Sequence, residues 1–274
     1  MLASLLIVFR EVIEAGLIVG IVLAATKGVP HRARWVAYGV CAGLLGACLV
    51  AGFAGEIAAL FEGSGAELFN AGILLLAVGM LTWHNVWMAR HGREIAASVQ
   101  RVGAAVATGE RTLSALAVVV GIAVLREGSE VVLFLTGIAS QGGSSVAALL
   151  AGGALGLAAG AALSAFIYFG LLAIPMHRLF AVTTGLITLL AAGMAAQAIL
   201  FIQQGGYLEM LTSTIWDTSW LLPQDSILGR LLHTLIGYSD APNGAQLFFY
   251  ILTIGVIVGL MRLERTQRKQ PIEA

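Results

Sequence analysis

Seven runs of about twenty or more mainly apolar residues fill most of this chain, the length that a helix needs to cross a bilayer. They lie at roughly 2–26, 36–60, 67–89, 112–139, 146–173, 179–203 and 246–262, each bound good to a few residues. Between them is little material for a water-facing surface. Charged residues make up 11% of the 274, where a typical soluble domain has about 25%. A soluble fold and a disordered chain are both excluded, since disorder needs high charge and low hydrophobicity. The formal net charge is zero and no basic stripe interleaves with aromatics, so nucleic-acid binding is not expected. The reading is an all-α membrane protein of seven transmembrane helices in a single domain, residues 1–274. Gly, at 34 residues, suits close helix contacts in a membrane.

The first run is not expected to be a cleaved leader. No basic residue precedes Leu2–Phe9, and Arg10, Glu11 and Glu14 break the apolar core that a signal sequence needs. It reads as a retained helix. Cys41 and Cys48 lie two turns apart on one run, about 10 Å, too far for a disulfide. They are expected to be small apolar groups packed between helices.

Basic residues set the orientation, because cytoplasmic loops retain them. Lys27, Arg32 and Arg34 fall in the first connection. Arg90, Arg93, Arg101 and Arg111 fall in the third, Arg178 in the fifth, and Arg262, Arg265, Arg268 and Lys269 in the tail. All of these share one side. The other side holds Glu62, Asp217, Asp225, Asp240 and only Arg230. The expected topology has the N-terminus outside and the C-terminus inside the cytoplasmic (inner) membrane. The long outer connection, 204–245, is expected to fold over the outer mouth, with a short interfacial helix at Ile227–Ile236.

Two of the seven runs break their own pattern in the same way. The first reads Arg10-Glu11-Val12-Ile13-Glu14 and the fourth Arg126-Glu127-Gly128-Ser129-Glu130. Both are Arg-Glu-x-x-Glu, about midway along the span. The topology sends one helix inward and the other outward. The chain therefore reads as two inverted three-helix repeats, about 1–90 and 112–203, plus a seventh helix at 246–262. Inverted repeats with a midplane site are a transporter architecture.

The spacing puts Glu11 and Glu14 on one helix face, and likewise Glu127 and Glu130. Each Arg lies one turn from the second Glu of its motif and can brace it. An ionised residue at the centre of a membrane helix costs roughly 2.5–3.5 kcal/mol, so six that simply added would cost on the order of 15–20 kcal/mol. Helices that only needed to pack would use apolar residues there. Four carboxylates and two guanidiniums leave a formal charge of minus two. That suits a hard multivalent cation. Adjacent carboxylates also share protons, so metal transport and proton relay both stay open on composition. No His is near the motifs in sequence, and no Cys or Met is placed with them, which argues against a copper or thiolate zinc site.

At these residues the chain resembles the oxidase-dependent iron permeases of fungi and bacteria. Their signature in the first and fourth membrane helices is Arg-Glu-Gly-x-Glu. Arg126–Glu130 matches the full form, and the first copy has Val12 where Gly is usual. The segments 216–220 and 231–238 also look like bacterial members. The resemblance implies iron import, with Glu11, Glu14, Glu127 and Glu130 as metal ligands and Arg10 and Arg126 as supporting ion pairs. It implies iron as substrate and no permanently bound cofactor. Several members work with a separate outer-face ferroxidase or iron-delivery protein, and the His and Cys that copper sites need are missing from this chain. The alternatives are a transporter of another divalent cation such as manganese, and a non-transporting structural subunit. An enzyme is not expected, since no nucleophile–base pair or cofactor fingerprint occurs.

Other polar residues are read more plainly. Glu56, Glu62, Glu67, Asp217, Asp225 and Asp240 are expected to be solvated loop acids. His84, beside Trp83 and Asn85, is expected to pack or anchor toward the inner end of the third helix, with iron ligation on exit as the alternative. Gln197, Gln203 and Gln204 are expected to bond between helices. Gly16, Gly20, Gly152, Gly153, Gly156 and Gly160 are expected at close helix contacts.

Overall fold

The computed structural model describes residues 1–60, 66–140, 145–170 and 176–267. Glu62, Arg268 and Lys269 lie outside the described residues, as do the side chains of Glu56, Arg90, Arg93, Arg178 and Arg265. Among the described residues there are eight helices and no strand: α1 (Leu2–Ala25), α2 (Arg32–Leu60), α3 (Ala66–Ala107), α4 (Ser114–Ser140), α5 (Val146–Tyr168), α6 (Met176–Gln204), α7 (Ile227–Ile236) and α8 (Gly244–Gln267). Seven of them correspond to the expected runs, and α7 is the short helix expected in the long connection. α2, α3, α5, α6 and α8 carry stretches long and apolar enough to cross a membrane. α1 and α4 are as long but each carries an Arg and two Glu.

The largest departure from expectation is α3. A loop was expected after residue 89, yet the helix runs on for 42 residues in all, about 63 Å at 1.5 Å per residue. The reason is local and tertiary together. Residues 94–107 are mostly good helix formers, and their apolar positions recur on one face. Val99 and Val106 are buried against Val22, Val36, Leu116 and Val120, where α1 ends and α2 and α4 begin. Gly109, with φ +82°, then stops the helix, as a left-handed residue just past a C-terminus does. The end of α1 is also closed by side chains. The Thr26 hydroxyl donates to the Val22 carbonyl at 2.7 Å and Arg32 Nη1 to the Leu23 carbonyl at 2.7 Å, satisfying carbonyls that the helix leaves open.

Two helix pairs dominate the bundle, α1 with α5 and α2 with α4, and α3 packs along α6. Glycines set both close pairs. Gly152, Gly156 and Gly160 of α5 lie on Met1, Leu5, Phe9 and Val12 of α1, and Gly39 and Gly43 of α2 lie on Ala117, Gly121 and Val124 of α4. The first motif's Val12, standing where Gly is usual, is seated on Gly160; its counterpart Gly128 lies against Ala47. The small residue is on the partner helix in one pair and on the motif helix in the other. Gly16 abuts Ser164 as expected. Gly20 and Gly153 depart from expectation, because a Cβ would meet only Tyr168 at 3.8 Å and Val8 at 3.9 Å, both ordinary contacts. The cysteines also depart from expectation. Cys41 and Cys48 are free and exposed on the outer face of α2, beside Leu44, Leu45 and Leu49, because the opposite face, with Gly39 and Gly43, is the one that packs.

The segment 205–243 is folded rather than loose. α7 begins at Ser226, whose hydroxyl accepts from Gly229 N at 2.9 Å, and ends at Gly237 with φ +70°. Thr218 N donates to the Asp240 carbonyl, Ile215 N to the Pro242 carbonyl, and Asn243 Nδ2 to Gln203 Oε1 at 2.7 Å, which ties the segment to the end of α6. The loop acids serve turns. Asp240 accepts from Gln224 N, and Asp217 accepts from Ser219 N and its hydroxyl, which hold the Asp217 carboxyl below its usual range. Tyr238 is the central tie, its hydroxyl lying 2.8 Å from Thr218 Oγ1 and 3.0 Å from the Leu222 carbonyl. Tyr238→Phe removes both bonds, each worth about 0.5–1.5 kcal/mol net. Proteolysis of 205–243 is expected to accelerate several-fold while helix content is unchanged; an unchanged cleavage rate would show that the tie is not limiting.

Candidate metal centre

The two motifs meet. α1 and α4 pack against each other, and both lie along α3, so Glu11, Glu14, Glu127 and Glu130 all turn into one buried volume between three helices. The i, i+3 spacing does here what helical geometry requires, because both carboxylates of a motif share a face. All four Glu and Arg10 are buried.

Each Arg braces its own motif. Arg10 Nε lies 3.2 Å from Glu14 Oε1 and Nη1 lies 3.4 Å from Glu11 Oε1. Arg126 Nε lies 3.1 Å from Glu130 Oε1 and 3.9 Å from Glu127 Oε1. The two arginines are otherwise unlike. The Arg10 side chain is 2% exposed, whereas that of Arg126 is 34% exposed and lies over the Trp87 ring, 4.2 Å from its centroid. Trp87 in turn stacks on His91 at 5.0 Å.

The third contributor is His84. It is not at an inner helix end but between the motifs, 2% exposed. Its Nε2 lies 3.3 Å from Glu14 Oε2 and 3.8 Å from Glu11 Oε2, and its Nδ1 contacts Glu130 Oε2. Of the two sequence readings of His84, packing or anchoring and iron ligation, this placement favours the second, and it adds a nitrogen donor to a cluster expected to be all carboxylate. Sequence proximity could not place it, because His84 stands 70 residues after Glu14 and 42 before Arg126. The available signal was an ionisable ring deep in an apolar run, the same signal that marked the glutamates.

The donor atoms converge. One ligand atom each from Glu11, His84, Glu127 and Glu130 falls within 4.8 Å of the others, a spread that one metal ion can span. Glu11 Oε2, Glu14 Oε2, Glu127 Oε2 and Glu130 Oε2 are buried without a hydrogen-bond partner. Buried carboxylate oxygens normally have one; here Glu11, Glu14 and Glu130 face the His84 ring without an aligned bond, and the set faces inward. Its chemistry fits a divalent or trivalent cation with oxygen and nitrogen ligands. The remaining polar residues of the sequence reading are elsewhere. Gln203 bonds Met210 and Asn243 at the end of α6. Gln197 lines a separate cavity of about 240 Å³ beneath the 205–243 segment, with His233, Tyr238 and Gln246. Glu67 is exposed at the start of α3.

Known proteins share this arrangement of sequence. The ferrous iron permease EfeU of Escherichia coli O6:K15:H31 is 32% identical over 259 residues, covering 92% of this chain and 93% of that one. EfeU of Shigella sonnei is likewise 32% identical with the same coverage, and EfeU of Yersinia pestis is 31% identical over 258 residues, covering 92% and 90%. No solved structure matches the fold. The family profile described as the Iron permease FTR1 family matches residues 1–264, nearly the whole length, including both Arg-Glu-x-x-Glu motifs, and the chain belongs to that family.

Proposed function

We propose that this protein imports iron across the cytoplasmic membrane, binding the ion in transit at Glu11, Glu14, Glu127 and Glu130. Family membership and the similarity to ferrous iron permeases support iron uptake. The observation that carries the site is the convergence of two separate motifs on one buried volume lined by carboxylate oxygens that make no aligned hydrogen bond.

In this reading all seven long helices span the membrane, with the N-terminus outside. The α7 segment then covers the outer mouth, and the α3 extension lies at the cytoplasmic end. The exchange of partners between α1·α5 and α4·α2 supports the two inverted repeats. Iron sheds water for carboxylates near the midplane. A divalent ion neutralises the formal charge of minus two, and Arg10 and Arg126 limit repulsion among the glutamates while no ion is bound. Iron is cargo and not a resident cofactor. Any change of its oxidation state is the work of a separate outer-face protein.

The test is radiolabelled iron uptake into proteoliposomes, with ferrous and ferric iron run separately and manganese as competitor. Wild type is expected to take up iron, and Glu14→Gln/Glu130→Gln to lose at least about nine-tenths of the rate, because two of four charged ligands are gone. Near-normal uptake by correctly inserted double variant would overturn the site. Equal competition by manganese would broaden the cargo to divalent ions in general, and transport by neither would leave a structural role.

A further inference from the structure

We propose that His84 is the nitrogen ligand of this site and that it sets selectivity for borderline transition ions over magnesium and calcium. The inference rests on the reading above that the glutamates hold the cargo. It adds what four carboxylates do not supply. An all-oxygen site is hard, and suits magnesium, calcium and manganese at least as well as ferrous iron; an imidazole moves preference toward iron and the later first-row ions. A cell membrane faces far more magnesium and calcium than iron, so a carboxylate site alone discriminates poorly.

Three observations carry the role. First, the ring is placed between the motifs: Nε2 faces Glu14 and Glu11, and Nδ1 faces Glu130. Second, the contacts are close but poorly directed. Neither ring nitrogen makes a well-aligned hydrogen bond, although both are fully buried. A structural histidine in a core normally aligns at least one. Here each nitrogen faces carboxylate oxygens of a different motif. Third, either nitrogen can ligate while the other is held by a carboxylate of the opposite motif. That is the carboxylate–histidine–metal relay, which fixes ring orientation and makes the ligand more basic.

The position also breaks the two-fold relation of the repeats. His84 comes from α3, and α6 from Ala181 to Gln204 contains no acid, base or cysteine. The site therefore has oxygen donors from both halves but nitrogen from one. Leu74, Ala77 and Leu81 bury the neighbouring turns of α3 against α6 and hold the ring's backbone in place.

Two measurements test this. In the first, manganese(II) is titrated into purified protein and read by pulsed electron paramagnetic resonance. Wild type is expected to show nitrogen coupling from one imidazole. His84→Gln is expected to keep the ion and lose the coupling. In the second, ferrous iron uptake is challenged with magnesium and calcium. In His84→Gln the concentration of either ion that halves uptake is expected to fall about 10–100-fold, the range for loss of a metal-supporting group.

The controls separate the two levels of argument. If Glu11→Gln/Glu127→Gln still binds manganese with the wild-type signal, the glutamate site itself is wrong. If the glutamates are required but wild type shows no nitrogen coupling, the glutamate site stands and the role of His84 falls. The second result needs no His84 variant, so a His84 substitution that fails to fold does not shield the proposal. An unchanged competition profile in folded His84→Gln likewise overturns the selectivity role.

Discussion

Arg10→Met is expected to destabilise the protein by about 3–5 kcal/mol, the effect of removing one partner from a buried ion pair. The corresponding change at the second motif, Arg126→Met, is expected to cost about 1–2 kcal/mol, from a partly exposed pair and one cation–π contact. The motifs place their Arg and two Glu at the same spacing, so the difference comes from their surroundings. Arg10 is sealed, 2% exposed, and serves two buried carboxylates at once. Without it, Glu11 and Glu14 keep only His84 as a positive or donating neighbour. Arg126 is a third exposed, so water takes over part of what the guanidinium does for Glu130. Thermal unfolding in detergent, followed by the fraction that stays monodisperse, measures both. The larger fall in Tm should belong to Arg10→Met. Arg10→Met/Glu14→Gln should recover part of the loss, because it removes the stranded charge along with its partner. Equal falls for the two single variants would mean that the motifs sit in equivalent surroundings, contrary to the burial difference.

That asymmetry marks the limit of what the sequence carries. The paired glutamates were legible because ionisable groups in apolar runs have so few bland explanations. Seven long helices and the short α7 were legible from apolar run length and from turn residues around 204–245. Two kinds of information were not. One is which segments come together: His84 joins the glutamates only through the way α3 lies along α1 and α4, and adjacency in sequence gave no hint of it. The other is which face of a uniformly apolar helix turns inward. Cys41 and Cys48 have the same local composition as buried residues, yet they lie on the exposed side of α2 because Gly39 and Gly43 on the other side allow α4 to approach. In a membrane helix polarity does not distinguish the two faces, since lipid is as apolar as a core. Small-residue spacing does, and it was read without assigning partners. The α3 extension escaped for a related reason. Its charges make it read as a connection, but nothing in charge says that a segment is irregular, and Val99 and Val106 supply the apolar face that keeps it helical.

Small-residue spacing makes its own sharp prediction within α5. Gly156→Ala is expected to destabilise the protein by about 1–3 kcal/mol, the usual range for overpacking. Gly153→Ala is expected to be neutral or stabilising by up to about 1 kcal/mol, since Ala is the better helix former. The two sites are three residues apart and have the same change, so helix propensity cancels between them. A Cβ at Gly156 would lie 2.5 Å from the Leu5 carbonyl oxygen and 3.0 Å from Phe9 N. Those are backbone atoms of α1, one turn before the first motif, and they cannot swing aside as a side chain would. α1 must therefore move away from α5, carrying Arg10, Glu11 and Glu14 with it. At Gly153 the new atom meets only the Val8 methyl at 3.9 Å, an ordinary contact. Gly43→Ala in α2 should behave like Gly156→Ala, because its Cβ would come within 2.8 Å of the Gly121 carbonyl oxygen on α4. The readouts are Tm and iron uptake by the same preparation. Gly156→Ala and Gly43→Ala should lose uptake out of proportion to their loss of folded protein, since each shifts one carboxylate pair against the other and against His84. Candidate ligand atoms that lie within 4.8 Å of one another tolerate little of that displacement. If both retain wild-type uptake once corrected for folded protein, the close helix pairs support the bundle but do not set the geometry of the site.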